Sequence, residues 1–163
     1  MLQLSPCIEM FWGNVDFAQR IQKSAALGFK TYEFWSWWDK DVDAIEKAVK
    51  DNGMTTGATC VKTAFTSDCP SILRPCGADS IVASVKDCVA VAPRLNCRTF
   101  IVTTGPELND VSREEQHACC VAALKTAAPV AEDAGITLVL EPLNILVDHK
   151  GYYLSTSAEG FKI

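Results

Sequence analysis

The stretch that decides the fold is ITLVLEPLN, residues 136–144. Its first five residues are apolar or β-favouring and carry no charge, which is typical of a strand buried on both faces in a parallel sheet. Gly135, directly before it, fits the end of a preceding helix. Glu141 stands where the strand emerges, and Pro142 prevents a simple continuation of the ladder. Because α/β folds place their chemistry at the carboxyl ends of parallel strands, Glu141 is the first candidate for a functional residue.

Outward from this stretch, the chain alternates between strand and helix five times. The predicted strands are residues 4–10, 31–35, 54–61, 98–103 and 136–140. A helix terminator precedes each later strand, namely Gly28, Gly53, Asn96 and Gly135. This alternation predicts a parallel sheet with right-handed crossovers.

The predicted helices carry recognisable start signals and two prolines. N-caps are expected at Asp16, Asp41, Ser112 and Thr156, the last two with a glutamate three residues on. Pro93 falls in the last turn of the third helix or kinks it, and Pro129 predicts a kink or a break in the fourth. On the fourth helix the residues that can face the core are Ala118, Val121, Leu124 and Ala128.

No linker or shift in composition divides residues 1–163, so we expect one domain. Two architectures fit five strand-helix units: a doubly wound five-stranded sheet, or part of an eightfold barrel. A full barrel needs about 250 residues. This chain would then form the N-terminal part of a barrel, roughly five-eighths of it, truncated before strands six to eight.

Composition narrows the class of protein. Hydrophobic residues make up 48% of the chain, which excludes disorder, and the net charge of −5 argues against a nucleic-acid-binding surface. No run of about 18 apolar residues predicts a membrane span. The N-terminus lacks a basic region and carries Glu9 early, unlike a signal peptide, so we expect a cytoplasmic protein.

The eight cysteines show no C-x-x-C pair and no zinc-site spacing. In a cytoplasmic protein they are expected to be reduced thiols. Cys69 and Cys76 flank a proline-containing loop, and a disulfide between them is an open alternative.

Polar and aromatic residues gather at the ends of the predicted strands. The polar ones are Glu9, Glu33, Thr103, Thr104 and Glu141, and the aromatic ones are Trp12, Trp35, Trp37 and Trp38. In a barrel these side chains converge on one mouth, which would suit a small polyol or keto-acid. The alternative is that the indoles pack the loops and the glutamates form salt bridges. No glycine-rich phosphate motif follows the first strand, so no nucleotide cofactor is expected.

Four stretches resemble a known family, the hydroxypyruvate isomerase group of the xylose isomerase-like TIM barrels. They are CIEMFW at 7–12, GFKTYEFWSWWDKDVDAI at 28–45, FIVTTG at 100–105 and LVLEPLNILVDHKGYYL at 138–154. Two departures are visible. Lys150 stands where the family often has proline, and the loop with Cys69, Pro75 and Cys76 is unlike the family pattern.

The resemblance implies an isomerase of small hydroxy-carbonyl compounds, converting hydroxypyruvate to tartronate semialdehyde by proton transfer through an enediolate. It implies that Glu141 is one of two catalytic glutamates and one of four ligands of a divalent metal, Mg²⁺ or Mn²⁺. The other ligands and the second glutamate belong to strands six to eight, so this fragment is expected to be catalytically incomplete.

The substrate-binding residues expected in the mouth are Trp12, Glu33, Trp35, Thr104, Asn144, Asp148 and His149. Asn144, Asp148 and His149 follow Glu141 and could bind hydroxyl or carboxylate groups. The alternative is that Asp148 is a turn residue and His149 a solvated loop residue.

Other functions remain to be compared with this one. A ketose 3-epimerase shares the barrel and the glutamate. A non-catalytic fragment could associate through an open sheet edge, including as a homo-oligomer. A DNA-repair endonuclease on a related barrel would need several metal-binding histidines and a basic groove, whereas this chain has two histidines and a net charge of −5. A thiol-redox role is weaker still without a C-x-x-C motif.

Overall fold

The computed structural model describes residues 3–63, 65 and 70–163. Within these residues the sheet is formed by parallel strands in the order β1-β2-β3-β4. The strands are β1 (Thr31–Glu33), β2 (Thr55–Cys60), β3 (Thr99–Val102) and β4 (Thr137–Leu140). Strand order therefore follows chain order, as it does around a barrel wall.

A helix precedes or connects each strand. The helices are α1 (Phe17–Ala26), α2 (Val42–Asn52), α3 (Gly77–Leu95), α4 (Arg113–Asp133) and α5 (Ser157–Gly160). Three predicted N-caps are confirmed by side-chain bonds to the first turn, from the backbone N–H groups of Ala44, Glu115 and Glu159 to Asp41, Ser112 and Thr156. Asp16, the remaining predicted N-cap, directly precedes α1, but its side chain accepts no such hydrogen bond. Of the two architectures that the alternation allowed, the α/β partial barrel is confirmed, because strand order follows chain order.

The first predicted strand, residues 4–10, is wrong as an extended element. Cys7 makes a single parallel bridge to Glu33, whose backbone N–H donates to the carbonyl of Pro6 at 2.9 Å. The chain then turns into a 3₁₀ helix over Ile8–Met10. Pro6 has no N–H to donate, which limits ladder pairing at this point.

The two faces of the sheet differ sharply in burial. Tyr32, Phe34, Phe100 and Val102 point to the helices and are completely buried in the core. On the opposite face of β4, Val139 is 38% exposed. The prediction that the strand over 136–140 is buried on both faces is therefore wrong: Thr137 and Val139 are exposed, and Leu138 and Leu140 on the other face are only partly buried.

Helix α4 corrects two further expectations. It runs from Arg113 to Asp133 without a break at Pro129. The residues that it buries are Gln116, Cys120, Ala123, Ala127 and Ala131. Of the predicted stripe of Ala118, Val121, Leu124 and Ala128, Leu124 packs against the core while only partly buried. Pro93, by contrast, lies in the last turn of α3 as predicted.

Two findings concern the cysteines and the membrane. The seven cysteines in the described ranges are free thiols, and Cys69 lies outside those ranges. Among the described residues, no helix combines the length and apolar character that a membrane crossing needs.

Candidate active site

Glu141 directly follows β4, at the carboxyl end of the sheet. Its backbone N–H donates to the carbonyl of Val102 at 3.0 Å, which holds it in register with β3. The side chain is half-buried. Burial raises the pKa of its carboxyl group, the charge of Glu33 raises it further, and His149 lowers it. A carboxylate in this state is a better proton acceptor than an exposed one.

Tyr152 fixes the backbone on which Glu141 stands. Its buried hydroxyl accepts a hydrogen bond from the Thr104 backbone N–H at 2.8 Å and donates to the Glu141 carbonyl at 3.2 Å. The hydroxyl thus joins the carboxyl ends of β3 and β4. Thr104 itself is completely buried, and its Oγ1 donates to the carbonyl of Gly105 at 3.4 Å. Its contact with a substrate stays a prediction.

The loop after β4 folds back over this end of the sheet. The Leu143 N–H donates to the carbonyl of Leu154 at 3.0 Å, closing the loop at its base. Asn144 uses its Oδ1 to accept from the Leu146 N–H at 2.8 Å, so part of its side chain shapes the loop. Asp148 is exposed.

His149 comes back from this loop toward Glu141. Its ring lies 5.5 Å from that of Phe65 and 6.3 Å from that of Tyr152, measured between centroids. It is close enough to Glu141 to lower the pKa of that carboxyl group. The structure therefore brings two predicted site residues, Glu141 and His149, together with an aromatic pair that sequence reasoning did not single out.

Glu33 is the second carboxylate on this side of the sheet. It is half-buried at the end of β1, and its Oε1 would lie 3.4 Å from a Cβ placed on Gly57 of β2. Its charge acts on Glu141 across the intervening strands. The atom that such a Cβ would crowd is Ser5 Oγ, at 2.6 Å, so the missing side chain of Gly57 leaves room for Ser5 beside Glu33.

Two thiols also approach this carboxylate pair. Burial raises the pKa of Cys60 to about 12, and the charge of Glu141 adds to the effect. Burial likewise raises the pKa of Cys7. Both thiols stay protonated at neutral pH, so neither is activated as a nucleophile.

Glu9, another strand-end carboxylate, is engaged in structure. Lys40 Nζ lies 3.0 Å from its Oε1, and the Trp35 backbone N–H donates to its Oε2 at 3.2 Å. Lys40 also donates to the carbonyl of Ser36 at 2.7 Å and lies 5.0 Å from the centroid of the Phe17 ring. This ion pair joins the 3₁₀ segment to the loop after β1.

The tryptophans do not form one wall. Trp12 is half-buried and packs on the core, whereas Trp35 is 54% exposed. Trp37 donates through Nε1 to the carbonyl of Cys60 at 3.1 Å. Trp37 and Trp38 line an open cleft of 460 Å³ beside α3 that does not include Glu141.

The described residues supply only part of the ligand set that is expected for the metal. Across residues 3–63, 65 and 70–163, no three histidine, cysteine, aspartate or glutamate side chains are grouped so that they could hold a metal ion. Glu141 can offer one carboxylate ligand. The sequence did not predict Phe65 and Tyr152 as site residues, because they come close to His149 only in the folded chain. The one sequence signal for Tyr152 was its position in the GYY segment quoted above.

Comparison with known proteins places the chain. The family model described as xylose isomerase-like TIM barrel matches residues 21–161. Over its whole length the chain is 25% identical to hydroxypyruvate isomerase of Escherichia coli (strain K12) and spans 64% of that protein.

Solved structures agree on the fold. An AP endonuclease, family 2, from Brucella melitensis matches 94% of this chain with a TM-score of 0.81 and 22% identity, over 60% of its own length. D-psicose 3-epimerase from Clostridium cellulolyticum H10, solved with D-tagatose, matches 97% of the chain with a TM-score of 0.73 and 19% identity, over 57% of its length. With a family model that matches most of its residues, this chain belongs to the xylose isomerase-like TIM barrel family.

Proposed function

We propose that this chain is the N-terminal part of a sugar or hydroxy-acid isomerase in which Glu141 moves a proton between adjacent carbons of a small hydroxy-carbonyl compound. The observation that carries the proposal is the half-buried carboxyl group of Glu141, with its raised pKa, at the carboxyl end of β4. Membership of the family and the similarity to hydroxypyruvate isomerase support this reaction class. Hydroxypyruvate is the proposed substrate.

The reaction moves a proton between two neighbouring carbons. Of the two glutamates that the family resemblance implies, this chain supplies one, Glu141, as the proposed base. The Glu141 carboxylate would accept a proton from the hydroxymethyl carbon of hydroxypyruvate, leaving an enediolate. Returning the proton to the former carbonyl carbon, while a proton moves between the two oxygens, gives tartronate semialdehyde with no atom gained or lost. Positioned acid-base catalysis of this kind contributes about 10²- to 10⁴-fold in rate.

The backbone anchor of Glu141 serves this role. Because the Tyr152 hydroxyl joins the Thr104 N–H to the Glu141 carbonyl, the carboxylate stands on a fixed main chain. Burial limits the water around it and is the main cause of its raised pKa. Glu33, Trp12, Trp35, Asn144 and Asp148 are the remaining proposed substrate contacts.

We also propose a divalent metal, Mg²⁺ or Mn²⁺, for which the described residues would supply part of the ligand set. Glu141 would supply one oxygen ligand, and such a cation would stabilise the charge on the enediolate. The described residues do not complete a ligand set around it. In this chain, Glu141 is the residue proposed to carry the proton.

The test is an isomerisation assay with hydroxypyruvate in the presence of Mg²⁺ or Mn²⁺. We compare the chain with Glu141→Gln and with Glu132→Gln, an exposed position on α4. The proposal expects turnover to fall about 10²- to 10⁴-fold in the first variant and to be unchanged in the second. Turnover that survives Glu141→Gln contradicts the proposed role of this residue. Folded protein that shows none in any form contradicts catalysis by this chain on its own, as expected for a fragment without the second catalytic glutamate.

A second candidate is ketose 3-epimerisation. The fold similarity to D-psicose 3-epimerase favours it, and the same glutamate could remove a proton from a sugar carbon next to a carbonyl. Running the assay in parallel with D-tagatose separates the two substrate classes. Epimerisation of the ketose with no action on hydroxypyruvate would replace the first proposal.

A third candidate is association through the open sheet edge. In the described sheet β4 pairs on one side only, and the apolar residues next to it are exposed, with Ile145 at 40%, Leu146 at 83% and Val147 at 72%. Such an edge favours pairing with another chain. Sedimentation velocity would show an oligomer that Leu146→Asp weakens and Leu27→Asp does not, Leu27 being 67% exposed at the end of α1. A monomer at all concentrations contradicts this candidate.

A further inference from the structure

From the geometry of the site, we infer that His149 is a substrate-binding residue that donates a hydrogen bond from its Nε2–H to an oxygen of the substrate above Glu141. This deepens the proposed function and rests on it. The nitrogen that binds is Nε2, in the tautomer that carries its proton there. The group that it recognises is a carbonyl, carboxylate or enediolate oxygen.

Aromatic and backbone contacts fix the position of the His149 ring. His149 lies against Phe65 and Tyr152, with interplanar angles of 48° and 65°. Tyr152 is buried and hydrogen-bonded to the main chain at the ends of β3 and β4. The backbone N–H of Tyr152 donates to the His149 carbonyl at 3.0 Å, and the His149 N–H donates to Asn144 at 3.1 Å. The imidazole is therefore held on a fixed support rather than on a free loop.

The second step distinguishes the two ring nitrogens. Nδ1 is shielded from solvent and has no hydrogen-bond partner in the described part of the chain. Nε2 is not among these shielded atoms and makes no bond to the described residues. A buried N–H without an acceptor is unfavourable, so the proton of the neutral ring is favoured on Nε2.

The third step identifies the ligand. Tyr152, whose ring lies 6.3 Å from that of His149, bonds the Glu141 carbonyl, so a ring with its proton on Nε2 presents a hydrogen-bond donor beside Glu141. Glu141 as a carboxylate would take a proton from carbon, and the oxygen on the neighbouring carbon then gains negative charge. A donor fixed at that point suits an oxygen acceptor. Phe65, 49% exposed, offers an apolar surface for the carbon chain.

Two isosteric variants test the choice of nitrogen. The amide nitrogen of glutamine can take the place of Nε2, whereas that of asparagine reaches only as far as Nδ1. With hydroxypyruvate as the probe, we expect His149→Gln to keep its affinity and His149→Asn to lose roughly 3- to 10-fold, the value of one hydrogen bond. Circular dichroism checks that both variants are folded.

Nitrogen-15 NMR of the histidine side chains gives a direct readout. The chain has two histidines, so His117 on α4 is an internal reference. We expect the free protein to show His149 protonated on Nε2, and hydroxypyruvate to shift that nitrogen and leave His117 unchanged.

The outcomes separate this inference from the proposed function. A His149 signal that does not move while Glu141-dependent turnover is measured overturns the inference and leaves the function standing. A shift of the His149 Nε2 signal without measurable turnover supports the inference and contradicts catalysis by this chain. Proton on Nδ1 in the free protein, equal losses in both variants, or no shift and no turnover overturns the inference.

Discussion

Glu9 and Glu141 are two carboxylates at the same end of the molecule, and the structure treats them in opposite ways. Glu9 has Lys40 at 3.0 Å and the Trp35 N–H at 3.2 Å. Glu141 has no salt bridge among the described residues; it has the like charge of Glu33 and the ring of His149 nearby. A carboxylate neutralised in this way holds two segments together, whereas an uncompensated, partly buried one is available for proton transfer.

The difference also appears in what each residue fixes. Through Lys40, Glu9 ties the 3₁₀ segment to the loop after β1. At the other side of the mouth, Tyr152 fixes the main chain of Glu141, whose carboxyl group makes no side-chain hydrogen bond or salt bridge within residues 3–63, 65 and 70–163. Position at a strand end is thus not enough to identify a reactive carboxylate, and the bonds that it already makes decide its role.

The largest expected effect concerns the Glu9 side. Lys40→Met leaves Glu9 without its cation, and the side chains of the pair are only 11% and 17% exposed, Lys40 first. We expect the free energy of unfolding to fall by about 3 kcal/mol in urea denaturation. The control is Lys47→Met, since Lys47 pairs with Asp51 on the surface of α2; a loss of at most about 0.5 kcal/mol is expected there. Equal losses in the two variants would remove the contrast with Glu141.

A smaller effect is expected at the anchor of Glu141. Tyr152→Phe leaves the buried Thr104 N–H without its acceptor and should cost about 1–3 kcal/mol in the same assay. Tyr153→Phe is a matched control next in sequence, because the buried Tyr153 hydroxyl has no partner in the described residues. Its removal should be neutral or stabilising. If the two variants behave alike, the Tyr152 hydroxyl does not anchor this site.

The smallest effect is the pH dependence of stability from Glu141. Its folded pKa is raised above the unfolded value, so its contribution to stability is fully present below the unfolded pKa and is lost as the pH rises through the folded one. Glu141→Gln cannot ionise. We therefore expect it to match the wild type near pH 4 and to be more stable at pH 7, by at most about 1 kcal/mol.

Thermal unfolding of the two proteins from pH 4 to pH 8 measures this difference. A gap that closes rather than opens with rising pH would mean that Glu141 has a compensating partner.

Local signals predicted most of the fold. The caps at Asp41, Ser112 and Thr156 and the stop at Gly53 act within a few residues, so the sequence pattern predicts them directly. Most of the buried stripe assigned to helix α4 was wrong because its six alanines and two cysteines give little contrast between faces. The strand expected over 4–10 depended on pairing with a distant segment, and only Cys7 makes it.

The candidate site likewise combines a residue that the sequence predicts with partners that it does not. Glu141 was identified from the sequence because it follows a strand directly. The partners that define the site are far apart in sequence: Tyr152 lies 48 residues from Thr104, and Glu9 lies 26 residues from Trp35. Nothing in the local pattern shows which carboxylate will be neutralised. That information exists only once the strands are side by side.

The most direct measurement is a pH titration of the Glu141 carboxyl carbon by carbon-13 NMR, with the resonance assigned by its absence in Glu141→Gln. The account predicts a pKa above the usual glutamate value of about 4.3, because burial and Glu33 oppose ionisation more than His149 favours it. A pKa at or below that value would contradict the account, since Glu141 would then be a compensated carboxylate like Glu9.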